Sequence, residues 1–529
     1  MKSENDMCSF DRSELIRILL QRRVSQAKIE EVLSLLPENW RCSRESYKKG
    51  RCIFHAEEKP VGFEEEFNKE LEGMEKQGIF DFSGFIFPKI TISSKKNPKA
   101  FSKPTYFLGA TFKGTARFQR ATFQELADFD GVVFEDKALF QFATFTKSAW
   151  FSSAEFQKEA EFTRTTFREE AVFIGARFKE KTWFRNVTFQ GYTLFTDAVF
   201  GDAFFTRTTF QGEAMFDGAV FQTTAKFVGA QFHKSAFFIE AIFESEADFS
   251  ISVFYGGAFF IQCSFSGVAN FAYTTFDNQA IFINLSNGFP GYLVFLSTAF
   301  KKPTISQIIG YPLSRVSFMT TDIEGILLVP AREEEEDILD EIILKKGGQK
   351  GADEPSEEDL ITQLKHQLGP YITQETLQFE YKLIRKCLEV NRMFTEAADF
   401  FVREMRLARQ RLPRRNFLEK IAHCLYDILS RYGESINRPI LFALSVNLLT
   451  PILLLLLPPP NSFDIAISRL SEYPKYLEAV FAVFMQVRSF KDIEFMKNVP
   501  VIIEILIRIF AIIILGNLFV AVRRRLERR

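Results

Sequence analysis

Between Ala110 and Asn284 a phenylalanine recurs at alternating steps of six and five residues, from Phe112, Phe118, Phe123, Phe129 and Phe134 to Phe276 and Phe282. The residue two before each ring is small: Ala110, Ala116, Ala121, Ala127, Val132 and Ala138, later Thr208, Ser252 and Cys263. In units of eleven the chain reads ATFKGTARFQR, ATFQELADFDG, VVFEDKALFQF and so on for sixteen units, with Ala198 to Arg207 one residue short. An eleven-residue period also fits three helical turns, but such steps would set successive rings about 140° apart on a helix turning ~100° per residue, so no seam would form. Short strands broken by corners explain the pattern, because alternate strand positions share a face and the small residue and its Phe then both point inward. Four sides close a square coil, coils stack about 4.8 Å apart, and ring lies on ring along the axis. Two units per coil give about eight coils. Each buried ring is worth about 2 kcal/mol against about 1 to 2 kcal/mol of ordering per residue, so stability rests on an unbroken ladder.

This ladder resembles the pentapeptide-repeat family in its Phe-centred form with alternating five- and six-residue steps, over the whole stretch from Ala110 to Asn284. The resemblance implies a right-handed quadrilateral β-helix that serves as a scaffold or interaction surface. The expected fold class is therefore mainly β, with a helical N-terminal segment, a helical linker and C-terminal transmembrane helices. One branch of the family carries acidic rods that mimic DNA and inhibit topoisomerases. From Phe101 to Pro330 there are 19 Lys plus Arg against 22 Asp plus Glu, and a nearly neutral rod argues against that role.

Phe82, Phe87 and Ile92 already step by five, and Phe318 and Ile323 do so again after a loosening past Phe282, which sets the rod at residues 78–330. Before it, in 1–77, residues 13–36 have helical spacing with Ser13 and Ser25 as caps. Cys52-x-x-His55 has metal-ligand spacing, with Cys42 as a third ligand and Cys8 as a distant fourth for a structural zinc. Packing of reduced thiols around a core histidine is the favoured alternative, and no cofactor is required. The segment also resembles a Cys/His lead-in found before some Phe-type repeats, here CIFH, FEEEFNKELEGM and FDFSGFIFP. After the rod, 331–371 reads as an acidic linker with a short helix near Asp337 to Leu344. Residues 372–438 read as a helical juxtamembrane region, in which Thr373 to Leu412 suits two helices breaking near Asn391 and resembles a tetratricopeptide-like pair.

The last domain, 439–523, holds two apolar runs, Ile440 to Leu457 and Val499 to Val522. Each is long enough to cross about 30 Å of hydrocarbon. RQRLPRR, Arg431, Arg438 and the basic tail 524–529 flank them on one side, which places both ends in the cytoplasm of a multi-pass inner-membrane protein. Between them Tyr476 to Val487 is too short to span and suits a re-entrant helix. This order resembles the two-span pore domain of potassium-type channels, and Ser430 to Ile440 resembles the junction leading into that domain in pentapeptide-repeat proteins. Where those channels carry a TxGYGD filter, this chain has Val487, Arg488, Ser489, Phe490, Lys491 and Asp492. Filter carbonyl rings need glycine's backbone freedom, so potassium selectivity is not expected, and rings of Arg488 and Lys491 would favour anions in a conducting pore. Glu504 and Arg508, four apart in the second run, pair along one face that meets protein or water, or lies at the outer interface. Gly516-Asn517 either loosens this helix or lets a neighbour pack closely.

The totals narrow the function further. With 66 Lys plus Arg, 67 Asp plus Glu and a net charge of -1, the chain has no bulk attraction to nucleic acid. Six scattered Cys argue against a disulfide framework, and the N-terminal residues do not read as a signal peptide. His55, His233, His366 and His423 lack plausible nucleophile or carboxylate partners, so no enzyme is expected. The expected partners are the membrane, further copies of the chain in a tetramer suggested by the channel resemblance, and a cytoplasmic protein on the rod.

Overall fold

The fold is given by a computed structural model describing residues 8–527, apart from 25, 27–28, 31–33, 35–41, 43–50, 58–62, 79, 89–90, 94–95, 97, 287–289, 332–336, 346–356, 456–470, 494 and 496–498. The chain divides into two compact units at Leu377/Gln378.

In the first unit, α1 (Arg12–Gln21) is capped by Asp11, whose carboxylate accepts from the Glu14 amide at 3.0 Å. Ser13 is thus not the cap; Asp11 precedes it and has the extended backbone that a cap needs. The second predicted cap, Ser25, lies outside the described residues. Leu15 and Leu19 are buried on α1, over corners at Gly109 and Gly131 with φ of +61° and +64°. Arg22 donates to the carbonyls of Ala110 and Gly131, both at 2.8 Å, and to Thr111 Oγ1 at 2.6 Å. Burial pushes its guanidinium down to about 10. A Cβ on Gly131 would lie 2.8 Å from Val24 Cγ2. Gly131→Val is therefore expected to cost about 1 to 3 kcal/mol through overpacking and left-handed strain, read as a lower denaturation midpoint and faster proteolysis around α1. Next, α2 (Glu64–Lys76) buries Phe67, Leu71 and Met74, with Phe67 edge-on to Phe54 at 4.8 Å.

The solenoid has four parallel sheets of 9, 11, 10 and 11 strands. That makes about eleven coils rather than eight, because the rings flanking the regular ladder also stack, as Phe82 on Phe107 at 5.0 Å and Phe295 on Phe318 at 5.6 Å. Strands pair in register with their counterparts one coil on, as in Ala138 with Ala160 and Thr144 with Thr166, except that Thr91–Ser93 meets Ala116–Phe118 with a register shift. Across the short unit the register holds with one position fewer, Thr182 pairing with Ala203. Successive rings such as Phe129, Phe151 and Phe173 stack 4.7 and 4.9 Å apart, as the strand spacing requires. The inward small residues are buried beside them. Several of the polar ones donate to a Phe carbonyl of the preceding coil, as Thr165 to Phe140 at 2.7 Å and Ser252 to Phe227 at 2.6 Å, whereas the Oγ1 atoms of Thr182 and Thr193 are buried without a partner among the described residues.

Among the described residues of 331–371, two helices pack on the solenoid rather than run free. α3 (Leu339–Lys345) and α4 (Glu357–Leu368) set Leu339, Ile342, Ile343, Leu364 and Leu368 against Val268, Tyr292, Val294 and Met319 of the last coils. Ser317 Oγ donates to the buried Asp340 at 3.1 Å. The acidic run hides an apolar stripe at helical spacing, and the outward face of these coils is apolar to match.

α5 (Gln374–Val390) leads into the second unit and pairs with α6 (Phe394–Arg411), held by Arg385 to Glu404 at 3.0 Å, while Arg385 also bridges Glu389 of its own helix at 3.0 Å. Arg406 grips Asp427 of α7 (Phe417–Ser430) at 2.9 and 3.1 Å. α8 (Asn437–Leu455) and α10 (Val501–Glu527) are long and apolar enough to cross a membrane. Between them lies α9 (Tyr473–Phe484). It begins and ends three residues earlier than the predicted 476–487, because Pro474 opens its first turn and Gln486 turns left-handed at φ 60°. α9 packs on both long helices through Ala479, Val480, Val483 and Phe484 against Ile507, Ala511 and Ile514.

Candidate functional site

In the first unit, Cys8, Cys42, Cys52 and His55 converge, all buried, with their ligand atoms within 4.8 Å of one another. The tight turn Cys52–His55 closes through the amides of His55 and Ala56 donating to the Cys52 carbonyl at 3.1 and 3.0 Å. His55 Nδ1 lies 3.2 Å from Cys52 Sγ and 3.5 Å from Cys8 Sγ, and Cys42 Sγ is 3.8 Å from Cys52 Sγ. The far ring nitrogen, Nε2, lies 3.5 Å from the Ser83 carbonyl. Phe10 stacks on the imidazole at 3.9 Å. Hydrogen bonds from Cys42 and Cys52 hold the Cys8 thiol far below its usual range, and hydrogen bonds with Cys42 and Cys8 hold Cys52 far above it. Burial opposes charge on His55, but the thiols of Cys42 and Cys8 outweigh it and raise its pKa. Three soft thiol donors and one imidazole around a point are a donor set for a tetrahedral metal ion.

In the second unit the segment after α9 is pinned to α10. Glu504 accepts from Ser489 Oγ at 2.8 and 3.0 Å, from the Phe490 amide at 3.0 Å and from Arg508 Nε at 3.0 Å. Arg508 also donates to the Arg488 carbonyl at 2.7 Å. Ser489 and Asp492 cap a short 3-10 turn over Phe490–Asp492, and Phe490 is buried in the core between the helices. Val487, Arg488 and Lys491 are exposed. The pair read from the sequence therefore holds the loop as well as itself. Asn517, on α10, accepts from Ser430 Oγ at 2.6 Å, while a Cβ on Gly516 would meet nothing within 4 Å. No close neighbour packs at that glycine among the described residues.

On the solenoid, Thr122, Thr144, Thr166, Thr188 and Thr209 align on one outer sheet. Lys137–Glu159, Lys147–Glu169 and Lys158–Glu180 bridge successive coils at 2.7 Å. The regularity is that of a tandem repeat, and residues 100–144, 129–177 and 173–220 match the family of pentapeptide repeats, in nine copies. These residues of the solenoid are pentapeptide repeats. The chain is also 32% identical over 252 residues to Uncharacterized protein MJ1147 of Methanocaldococcus jannaschii, covering 46% of this chain and 51% of that one. It thus spans about half the length of this relative. No solved structure matches it significantly.

By sequence spacing Cys8 is a remote member of the Cys/His set, far up the chain from Cys42. The fold closes that gap by pairing the Cys42 amide with the Phe10 carbonyl at 2.9 Å. The role of Ser489 and Phe490 as partners of Glu504 has no sequence signal beyond the acidic residue inside an apolar run.

Proposed function

We propose that the chain is a non-enzymatic integral membrane protein of the inner membrane, in which a cytoplasmic pentapeptide-repeat domain docks a protein partner and a channel-like two-span domain responds. The observation that carries this reading is the arrangement of α8, α9 and α10: a twelve-residue helix between two long apolar ones, followed by a loop pinned by Glu504. Most of each long helix is uncovered, with 28% and 22% of their apolar windows buried, and side chains such as Leu449, Leu453, Ile512 and Phe519 project outward. Such surface suits lipid or a neighbouring copy rather than water. Arginines at 409, 411, 414 and 415 and at 523–525 support cytoplasmic ends. Assembly of several copies is supported by Asn447. Its Oδ1 is buried without a partner among the described residues, beside an apolar groove lined by Leu444, Leu448, Leu477 and Phe481.

A second reading, a membrane-anchored scaffold without conduction, is favoured by the loop itself. Ser489 and Phe490 are engaged with Glu504, and the segment forms a capped turn rather than a row of free carbonyls. Recording from purified oligomer in planar bilayers decides between them. The channel-like reading expects anion-preferring currents that shrink in Arg488→Ala or Lys491→Ala. Electrical silence of a correctly assembled oligomer leaves the scaffold.

A further inference from the structure

We propose that Cys8, Cys42, Cys52 and His55 bind one zinc ion, and that this ion is a clasp fastening the N-terminal segment over the open end of the solenoid.

The distances fit one ion. With Zn–S near 2.3 Å and Zn–N near 2.0 to 2.1 Å, a tetrahedral site sets its sulfurs about 3.8 Å apart and sulfur from nitrogen about 3.5 Å. The corresponding separations here are 3.8 Å for Cys42 with Cys52 and 3.5 and 3.2 Å for the imidazole with Cys8 and Cys52. Ligand atoms all within 4.8 Å leave room for a single ion and not for an iron–sulfur cluster. A Cys3His set is a closed structural site with no position left for substrate. The back of the imidazole faces the Ser83 carbonyl, the outer contact that fixes a ligating histidine's tautomer with Nδ1 toward the metal.

Its place explains what the ion would do. The first coil presents an uncovered strand edge and an aromatic core with no ring above it, a liability in any solenoid. The knuckle between Cys52 and His55 covers both. The Phe54 carbonyl accepts from the Ile86 amide at 2.8 Å, and the Phe54 ring stacks at 4.4 Å on Phe85, which lies beside the first-coil ring Phe87 at 5.9 Å. Cys8 joins this knuckle to the start of α1, and Cys42 ties in the chain between them. A metal bond shared by Cys8, Cys42, Cys52 and His55 ties together parts of the chain up to 47 residues apart in sequence, which adds stability to a short N-terminal segment.

The test uses the full chain, purified under reducing conditions. Elemental analysis is expected to find about one zinc per chain, unaffected by Cys263→Ser, whose thiol is buried elsewhere on the Phe238 carbonyl, and about tenfold lower in Cys42→Ser. Chelation should speed tryptic cleavage near Arg17 and Arg51 while the β signal of the solenoid persists. Should Cys42→Ser fail to fold, cobalt added to chelated wild-type chain still decides, because tetrahedral thiolate–cobalt absorbs strongly in the red. Wild-type chain that is metal-free and gives no such spectrum, or Cys42→Ser that retains full zinc, overturns the proposal.

Discussion

Replacing Phe173 by alanine is expected to destabilise the solenoid by about 3 to 5 kcal/mol. The ring is fully buried. It lies between Phe151 at 4.9 Å and Phe195 at 4.8 Å along its own column, and edge-on to Phe162 at 5.8 Å and Phe184 at 5.7 Å across the bore. Neighbouring coils are held by backbone pairing, as in Ala149 with Ala171, and cannot collapse into the space, so the lost contacts are not recovered. Because each coil touches only those above and below it, the damage should appear as lost amide protection in the coils around Phe173, spreading less to the ends. Arg168→Ala, on the exposed surface, should stay within about 0.5 kcal/mol of the parent. Chemical denaturation with hydrogen exchange measures both, and an unchanged midpoint for Phe173→Ala would contradict the aromatic core.

The other large effect is expected at Glu504. Its buried carboxylate is the shared acceptor for Ser489, the Phe490 amide and Arg508. Glu504→Ala leaves Arg508 and that amide without their partner, which costs about 3 to 5 kcal/mol when a buried pair is broken. Much of this should be felt locally, as release of the loop after α9. Trypsin cleavage at Arg488 and Lys491 in detergent is the readout: slow in the parent, fast in Glu504→Ala, intermediate in Glu504→Gln, which keeps an oxygen to accept from Ser489 and Phe490. Equal cleavage in all three would mean that the loop is held by something else.

Most of the solenoid was legible because its code is local and redundant: a ring every five or six residues and a small residue two before it leave one way to bury both. The two long apolar helices were legible for a similar reason, since length and apolarity suffice to expect them. What lay beyond reach depends on contacts between distant segments. The stripe Leu339, Ile342, Ile343 is short and set among carboxylates, and its meaning appears only with Val294 and Met319 opposite. Cys8, Cys42, Cys52 and His55 were all named as ligands from the sequence, but what brings Cys8 into range, the Cys42 amide on the Phe10 carbonyl, is a contact between distant segments. Phe490 stands at a filter position by its alignment with an aromatic of the channel motif, but its side chain is spent on the core against Phe484 and Ile507.

Carbonate extraction of membranes from cells making the full chain shows whether a pentapeptide-repeat domain is carried by a polypeptide that crosses the bilayer twice. The chain is expected to stay in the pellet at alkaline pH and to be released by detergent alone. Recovery of the folded chain in the carbonate supernatant would contradict it, and would make α8 and α10 core helices of a water-soluble assembly.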